Sequence, residues 1–217
     1  MKRLIIICEG QTEVEFCKIL LVPMFAQKGI FIQTPLIKVS GGGIVKWSLL
    51  KKQIVKHLHE TDVFVTTFID YYGIHDQHSF PNWAESKAII DKSERLDYIE
   101  SSMKNDLSED IRFRFIPYIQ LHEFEGLLFN NIESFDTNFE ASELKDRAEL
   151  VKIIEKFPNS ELINDDPKTA PSKRLDRLID GYNKVIFGPL LAESIGIERI
   201  RLKSPRFNSW ITSLISL

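Results

Sequence analysis

Cysteine is scarce in this chain of 217 residues: Cys8 and Cys17 are the only two, and they form no Cys-x-x-Cys pair. That argues against a disulfide scaffold and a structural zinc site, and it suits a reducing compartment. Long apolar runs are missing as well. Leu4-Ile5-Ile6-Ile7, after Met1-Lys2-Arg3, is too short for a signal peptide or a membrane span, so a soluble cytoplasmic protein is expected. An excess of positive charge is also lacking. The net charge of −3 argues against a protein that holds nucleic acid by bulk charge. The charge is uneven, however. Between Lys173 and Arg206, eight basic residues face four acidic ones, a surplus of four that leaves the remainder at −7. An acidic pocket beside a basic flank is what metal-dependent phosphodiester chemistry needs.

What the chain does have is enough apolar material, 43% with 15 Phe, to build a full core. Leu4 to Ile7 shows no polar alternation and reads as a parallel strand covered on both faces. It runs into Cys8-Glu9-Gly10-Gln11-Thr12-Glu13, where Gly10 permits a tight exit. Thr12 with Glu15 fits a Thr-x-x-Glu capping box for the next helix. Glu9 is thereby placed at the carboxyl edge of a strand, where open α/β sheets bind ligands, and Glu13 in the first helical turn close by. Glu13 also gains from the helix dipole by position alone; Glu9 has no such structural reason.

Further along, a helix is expected from Thr12 to Lys28 with a kink at Pro23, then a strand from Ile30 to Val39 interrupted by Pro35. Ser40-Gly41-Gly42-Gly43 reads as a flexible turn, since no P-loop lysine follows. A helix over Ile44 to Glu60 leads to a second buried strand, Val63 to Ile69, which ends in Asp70-Tyr71-Tyr72-Gly73. Asp70 either opens a turn or joins Glu9 at one edge of a parallel sheet. A long amphipathic helix is expected over Trp83 to Leu107, and a strand around Pro117 that runs into His122-Glu123-Phe124-Glu125. One functional glutamate is expected there, Glu125 ahead of Glu123, with the other serving as a cap. Helical patterns follow at Ser142 to Phe157, Ser172 to Tyr182, Pro189 to Ile195 and Pro205 onward. Lys173, in a first turn, is unfavourably placed for the helix dipole and reads either as a surface lysine or as a partner for anions or acids. Phe207 and Trp210, one turn apart, read as packing.

The stretches IIICEGQTEVEF, FIDYYG, IQLHEFEGLLF, APSKRL and PRFNSW closely resemble the bacterial family called domain of unknown function 4276. That family in turn resembles the TOPRIM fold of topoisomerases, primases and overcoming-lysogenization-defect nucleases. The resemblance implies a Rossmann-like, mainly parallel α/β sheet with a Mg²⁺- or Mn²⁺-binding acid cluster. It also implies a role beside SMC-like or ABC-type ATPases in phage defence. Glu9 then matches the glutamate after the first strand, and Asp70 the first acid of an Asp-x-Asp motif. Tyr72 stands where the second aspartate belongs.

The expectation is a core over residues 1–130 with a helical extension over 131–217 packed on it. It would act on nucleic acid as a nuclease. Glu9, Glu13, Asp70, Glu123 and Glu125 are the candidate metal ligands, and Glu9, Asp70, Glu125 and Lys173 the candidate catalytic groups. The alternative is a non-catalytic subunit that docks an ATPase.

Overall fold

The computed structural model describes residues 2–38, 43–164 and 166–217. Val39, Ser40, Gly41 and Gly42, which carry the end of the second expected strand and most of the glycine turn, lie outside the described residues. Strand β1 (Lys2–Cys8) pairs in parallel with β2 (Ile30–Gln33) on one side and β3 (Val63–Asp70) on the other. The uninterrupted apolar run in β1 has its expected cause. Leu4, Ile6 and Cys8 enter one apolar layer and Ile5 and Ile7 the other, and all five are buried.

The strand expected around Pro117 is split into β4 (Phe115–Ile116) and β5 (Ile119–Gln120), both parallel to β3. Proline cannot donate to the ladder, and the Thr67 side chain bridges the gap. Its hydroxyl accepts from the Tyr118 amide at 3.0 Å and donates to the Tyr118 carbonyl at 2.8 Å. β5 therefore stays in register with Asp70, as Asp70 opposite Gln120 records.

The first helix, α1 (Gln11–Phe16), does not continue as one regular helix to Lys28. A π-helical turn over Cys17–Leu21 precedes a further turn at Val22–Ala26, with the Val22 amide reaching back to Cys17 O. The wide turn sits just ahead of Pro23, which lacks an amide and crowds the preceding turn. Helix α2 (Trp47–Leu58) lies where expected. The long helix expected over Trp83 to Leu107 is broken. A short turn at Trp83–Ser86 is followed by α3 (Lys92–Asn105), which starts afresh because Asp91 accepts from the Glu94 amide at 2.9 Å. Arg95 holds the break by donating to the Ile89 carbonyl at 2.7 and 3.0 Å. α2 and α3 cover one face of the sheet with Leu50, Ile54, Leu96, Ile99 and Met103.

The other face is covered by α1 and by the later helices: α4 (Arg147–Lys156), α5 (Pro171–Leu178), α6 (Lys184–Ile195), α7 (Ile197–Lys203) and α8 (Pro205–Ile215). α6 approaches α1 closely at Gly188, where a Cβ would stand 3.0 Å from Thr12 Cγ2 and 3.3 Å from the Phe124 ring. On α8, Trp210 stacks on Tyr118 at 4.3 Å and donates to Thr66 Oγ1 at 2.9 Å, while Phe207 packs beside it at 5.5 Å. The expected packing role of this segment is what the structure shows. Arg206 fastens α8 to α3 by pairing with Asp97 and, at 2.7 Å, with the largely buried Glu100. Among the described residues, no helix is long and apolar enough to cross a membrane.

Candidate functional site

The parallel register brings the carboxyl ends of β1 and β3 side by side, with Cys8 opposite Phe68. Glu9 is the next residue out. Its Oε2 accepts the Asp70 amide at 2.9 Å, so two acids sixty-one positions apart are directly tied. Room for the Glu9 carboxylate comes from Gly73, where a Cβ would lie 2.9 Å from Glu9 Oε1.

Asp70 in turn accepts the Phe124 amide on Oδ1 at 2.9 Å. The chain can present that amide because it leaves β5 through His122, whose φ of 66° is a left-handed conformation that turns it back toward Asp70. The His122 carbonyl accepts from Tyr72, and the two rings pack at 5.0 Å. Beyond the turn, Phe124–Leu128 forms a short 3₁₀ helix that carries the buried Glu125.

Two of the acids are also caps: Glu13, where Glu15 was expected, and Glu123, which was expected to cap but does so on a helix distant in sequence. Gly10 is the N-cap of α1, and the Gly10 amide donates to Glu13 Oε2 at 2.8 Å. Glu15, the expected capping residue, instead bonds Gln11 and Lys18 on the surface. Glu123 caps a different helix: its Oε2 accepts the Ser172 amide in the first turn of α5 at 3.0 Å. Ser172 is thus not the cap of that helix; Ala170 is its N-cap residue and Pro171 its first residue. The site and α5 are joined by this bond.

The electrostatics follow from burial and crowding. Burial pushes Glu9 up to about 7, with Glu13 and Glu123 adding to the rise and Lys184 and the Asp70 amide opposing it. Burial likewise raises Glu125 to about 7, against the pull of Lys184. Glu13 is raised by burial too. Asp70 is driven well above the usual carboxylate range, first by burial and then by Glu13, Glu9, Glu125 and Glu123. Like charges about 4 Å apart at an effective dielectric of about 20 cost roughly 4 kcal/mol, so this group of acids calls for a counter-charge.

The chain itself supplies one that the sequence reading passed over. Lys184, the first residue of α6, is opposed by its own burial, yet Glu125, Glu13, Asp70 and Glu123 outweigh that and raise its pKa. Pro189 had suggested a helix start there, but α6 begins earlier because Asn183 accepts from the Val185 amide at 3.0 Å and the Ile186 amide at 3.4 Å. Asn183 was the signal available in the sequence. Tyr182 also reaches this region. Burial raises its pKa first, Glu125, Asp176 and Glu123 add to it, and among the described residues its buried hydroxyl has no hydrogen-bond partner. Lys173 is 66% exposed and stands 3.9 Å from Asp176 on α5.

The donor set, five carboxylates with one oxygen of Glu9, Glu13, Asp70 and Glu123 fixed by a backbone amide, suits a hard cation in its chemistry. Among the described residues, no three His, Cys, Asp or Glu side chains are already grouped as metal ligands.

Sheet and site together define an α/β protein with a cluster of acids at the carboxyl edge of a parallel sheet. The chain belongs to the family described as domain of unknown function (DUF4276), whose model matches residues 8–215. No curated protein and no solved structure matches it significantly.

Proposed function

We propose that this protein is a Mg²⁺- or Mn²⁺-dependent phosphodiesterase, specifically a nuclease, acting in a bacterial phage-defence-type system. The observation that carries the reading is Asp70, a partly buried acid at a strand end, tied to Glu9 and to the Phe124 amide, whose proton affinity is raised first by desolvation and then by four glutamates from two other segments. Folding alone gains nothing from that crowding, whereas a divalent cation would offset it. Glu9, Asp70 and Glu125 would hold the ion, with Glu13 or Glu123 completing the set. Bound there, Mg²⁺ or Mn²⁺ supplies an activated water and stabilises charge on a phosphate.

The chain's own groups contribute the rest. Lys184 offsets negative charge on the substrate, the role the sequence had suggested for Lys173. A TOPRIM-type ancestry accounts for Glu9 and Asp70; Tyr72 departs from it, and its hydroxyl accepts from the Asn164 side-chain amide. The test is nicking of plasmid DNA and cleavage of RNA with and without Mn²⁺. Equal cleavage by Glu9→Gln, or no cleavage with or without an SMC-like or ABC-type ATPase partner, sinks the reading.

One observation favours a second reading, a non-catalytic subunit that docks such an ATPase: Tyr72 stands where the second acid of the Asp-x-Asp pattern belongs and is held by the Asn164 side chain. Calorimetric titration with Mn²⁺ separates the two. Binding that is lost in Asp70→Asn supports the metal site, and no binding supports the subunit.

A further inference from the structure

The loop that leaves the acid edge is unusually aromatic. Directly after Asp70, Tyr72 and Tyr71 lie 6.3 Å apart, and Tyr71 packs against Trp83 at 5.6 Å. Trp83 forms one wall of a cleft of about 580 Å³, lined also by His75, Asp76, Gln77 and Lys87. The volume falls within the range of small-molecule and nucleotide sites.

The cleft is held in shape. The Trp83 indole N–H donates to Asp76 Oδ1 at 2.7 Å, which fixes the ring, and the Lys87 ammonium pairs with the same carboxylate. Lys87 also sits 5.9 Å over the Trp83 ring. Opposite, the imidazoles of His75 and His78 stack at 5.7 Å with 28° between their planes. The His75 amide donates to His78 Nδ1 at 3.0 Å and orients that ring. Asp76 is thus neutralised within the cleft, and the outer face of the site is built from rings rather than from net charge.

The geometry points to a stacking platform for single-stranded nucleic acid. It takes an unpaired base between the His75 ring and Trp83 and leads the strand past Tyr71 and Tyr72 to the acid edge at Asp70. Bases within a duplex are covered by their neighbours and offer only edges, so ring faces of this kind select unpaired nucleotides. The platform rests on the nuclease reading for its purpose and names that site's substrate class. It also accounts for a nucleic-acid partner in a chain of net charge −3: stacking, rather than charge, carries the binding.

The experiment is fluorescence anisotropy in EDTA with labelled thymidine and uridine oligomers of about 12 nucleotides and a matching duplex. Single strands are expected to bind at least about tenfold tighter than the duplex, with thymidine and uridine arms separating DNA from RNA. Trp83→Ala is expected to weaken binding about 5- to 150-fold, and Trp83→Phe to keep most of it. His75→Ala, at an exposed position, is expected to weaken binding as well; it carries the test if Trp83→Ala unfolds by circular dichroism. Equal affinity for duplex and single strand, no binding of either, or unchanged binding by folded His75→Ala overturns the platform. Cleavage is scored separately in Mn²⁺. Ring-dependent binding without cleavage removes the nuclease reading and leaves the platform, whereas cleavage with no strand preference and no effect of the ring variants does the reverse.

Discussion

The Asp70 amide donates to Glu9 Oε2 at 2.9 Å, so the backbone at the end of one strand positions the carboxylate at the end of its neighbour. Asp70 then uses its own carboxylate to accept the Phe124 amide. The three acidic segments are therefore linked by hydrogen bonds through the backbone, and each has a distinct sensitivity to substitution.

Gly73→Ala would place a methyl 2.9 Å from Glu9 Oε1, and the yielding partner is the end of a flexible side chain. The Glu9 carboxylate should move while the fold stays. Mn²⁺ affinity measured by calorimetry is expected to fall at least about tenfold with a loss of stability of under about 1 kcal/mol by denaturant titration. Unchanged Mn²⁺ binding would remove Glu9 from the ligand set.

Stability should depend on pH in a direction set by the raised acids. Glu9 and Glu125 keep their protons up to about 7 in the folded protein, whereas an unfolded glutamate releases its proton near about 4.3. The folded state binds more protons between these values, so the stability is fully present below about 4.3 and is lost as pH rises through about 7. One such group is worth on the order of 3 kcal/mol. In EDTA the Tm should fall from about pH 5 to about pH 8, and Glu125→Gln should flatten the curve. A Tm that rises over this range would contradict it. Saturating Mn²⁺ at the higher pH should restore the Tm if the ion binds here.

Lys184→Met removes the cation that opposes the rise of Glu9, Glu13 and Glu125. Its cost should be visible near about pH 8, where Glu9 and Glu125 are ionised, and should shrink near about pH 5, where these two are protonated. Lys184→Arg should behave like the unaltered protein in thermal melts at both values. Equal destabilisation at both would make Lys184 an ordinary packing residue.

Glu100→Ala leaves the Arg206 guanidinium, 12% exposed, without its 2.7 Å partner beneath α8. Breaking a largely buried pair of this kind costs about 3–5 kcal/mol. Chemical denaturation should register that loss, and Arg206→Met in the same background should recover part of it. A loss below about 1 kcal/mol would mean that Asp97 alone holds the helix.

How far the sequence could be read depended on whether each signal was local. β1 and β3 were legible because the first is a continuous apolar run and the second a run of β-branched and aromatic residues, and the acids at their ends followed from the strand boundaries. The break before α3 was not, because apolar spacing continues across it and only the Asp91 cap marks the restart. Glu13 and Glu15 were both within reach of the α1 cap, and the choice turned on whether Gly10 or Thr12 was the N-cap. Glu123 capping α5 across forty-nine positions is a tertiary contact with no local pattern. Lys184 was hidden by Pro189, which sits inside α6 instead of opening it.

The close fit of Gly188 on Thr12 has a consequence for the order in which the site comes into being. Every acid of the site is synthesised by residue 125, but the helix that brings Lys184 is made some sixty residues later and docks only where α1 leaves it room. Until that helix docks, the carboxylates lack the lysine that balances them in the folded protein. The raised proton affinity of Glu9 and Asp70 comes first from burial, so it belongs to the folded protein, in which the last quarter of the polypeptide packs against the first helix and adds Lys184.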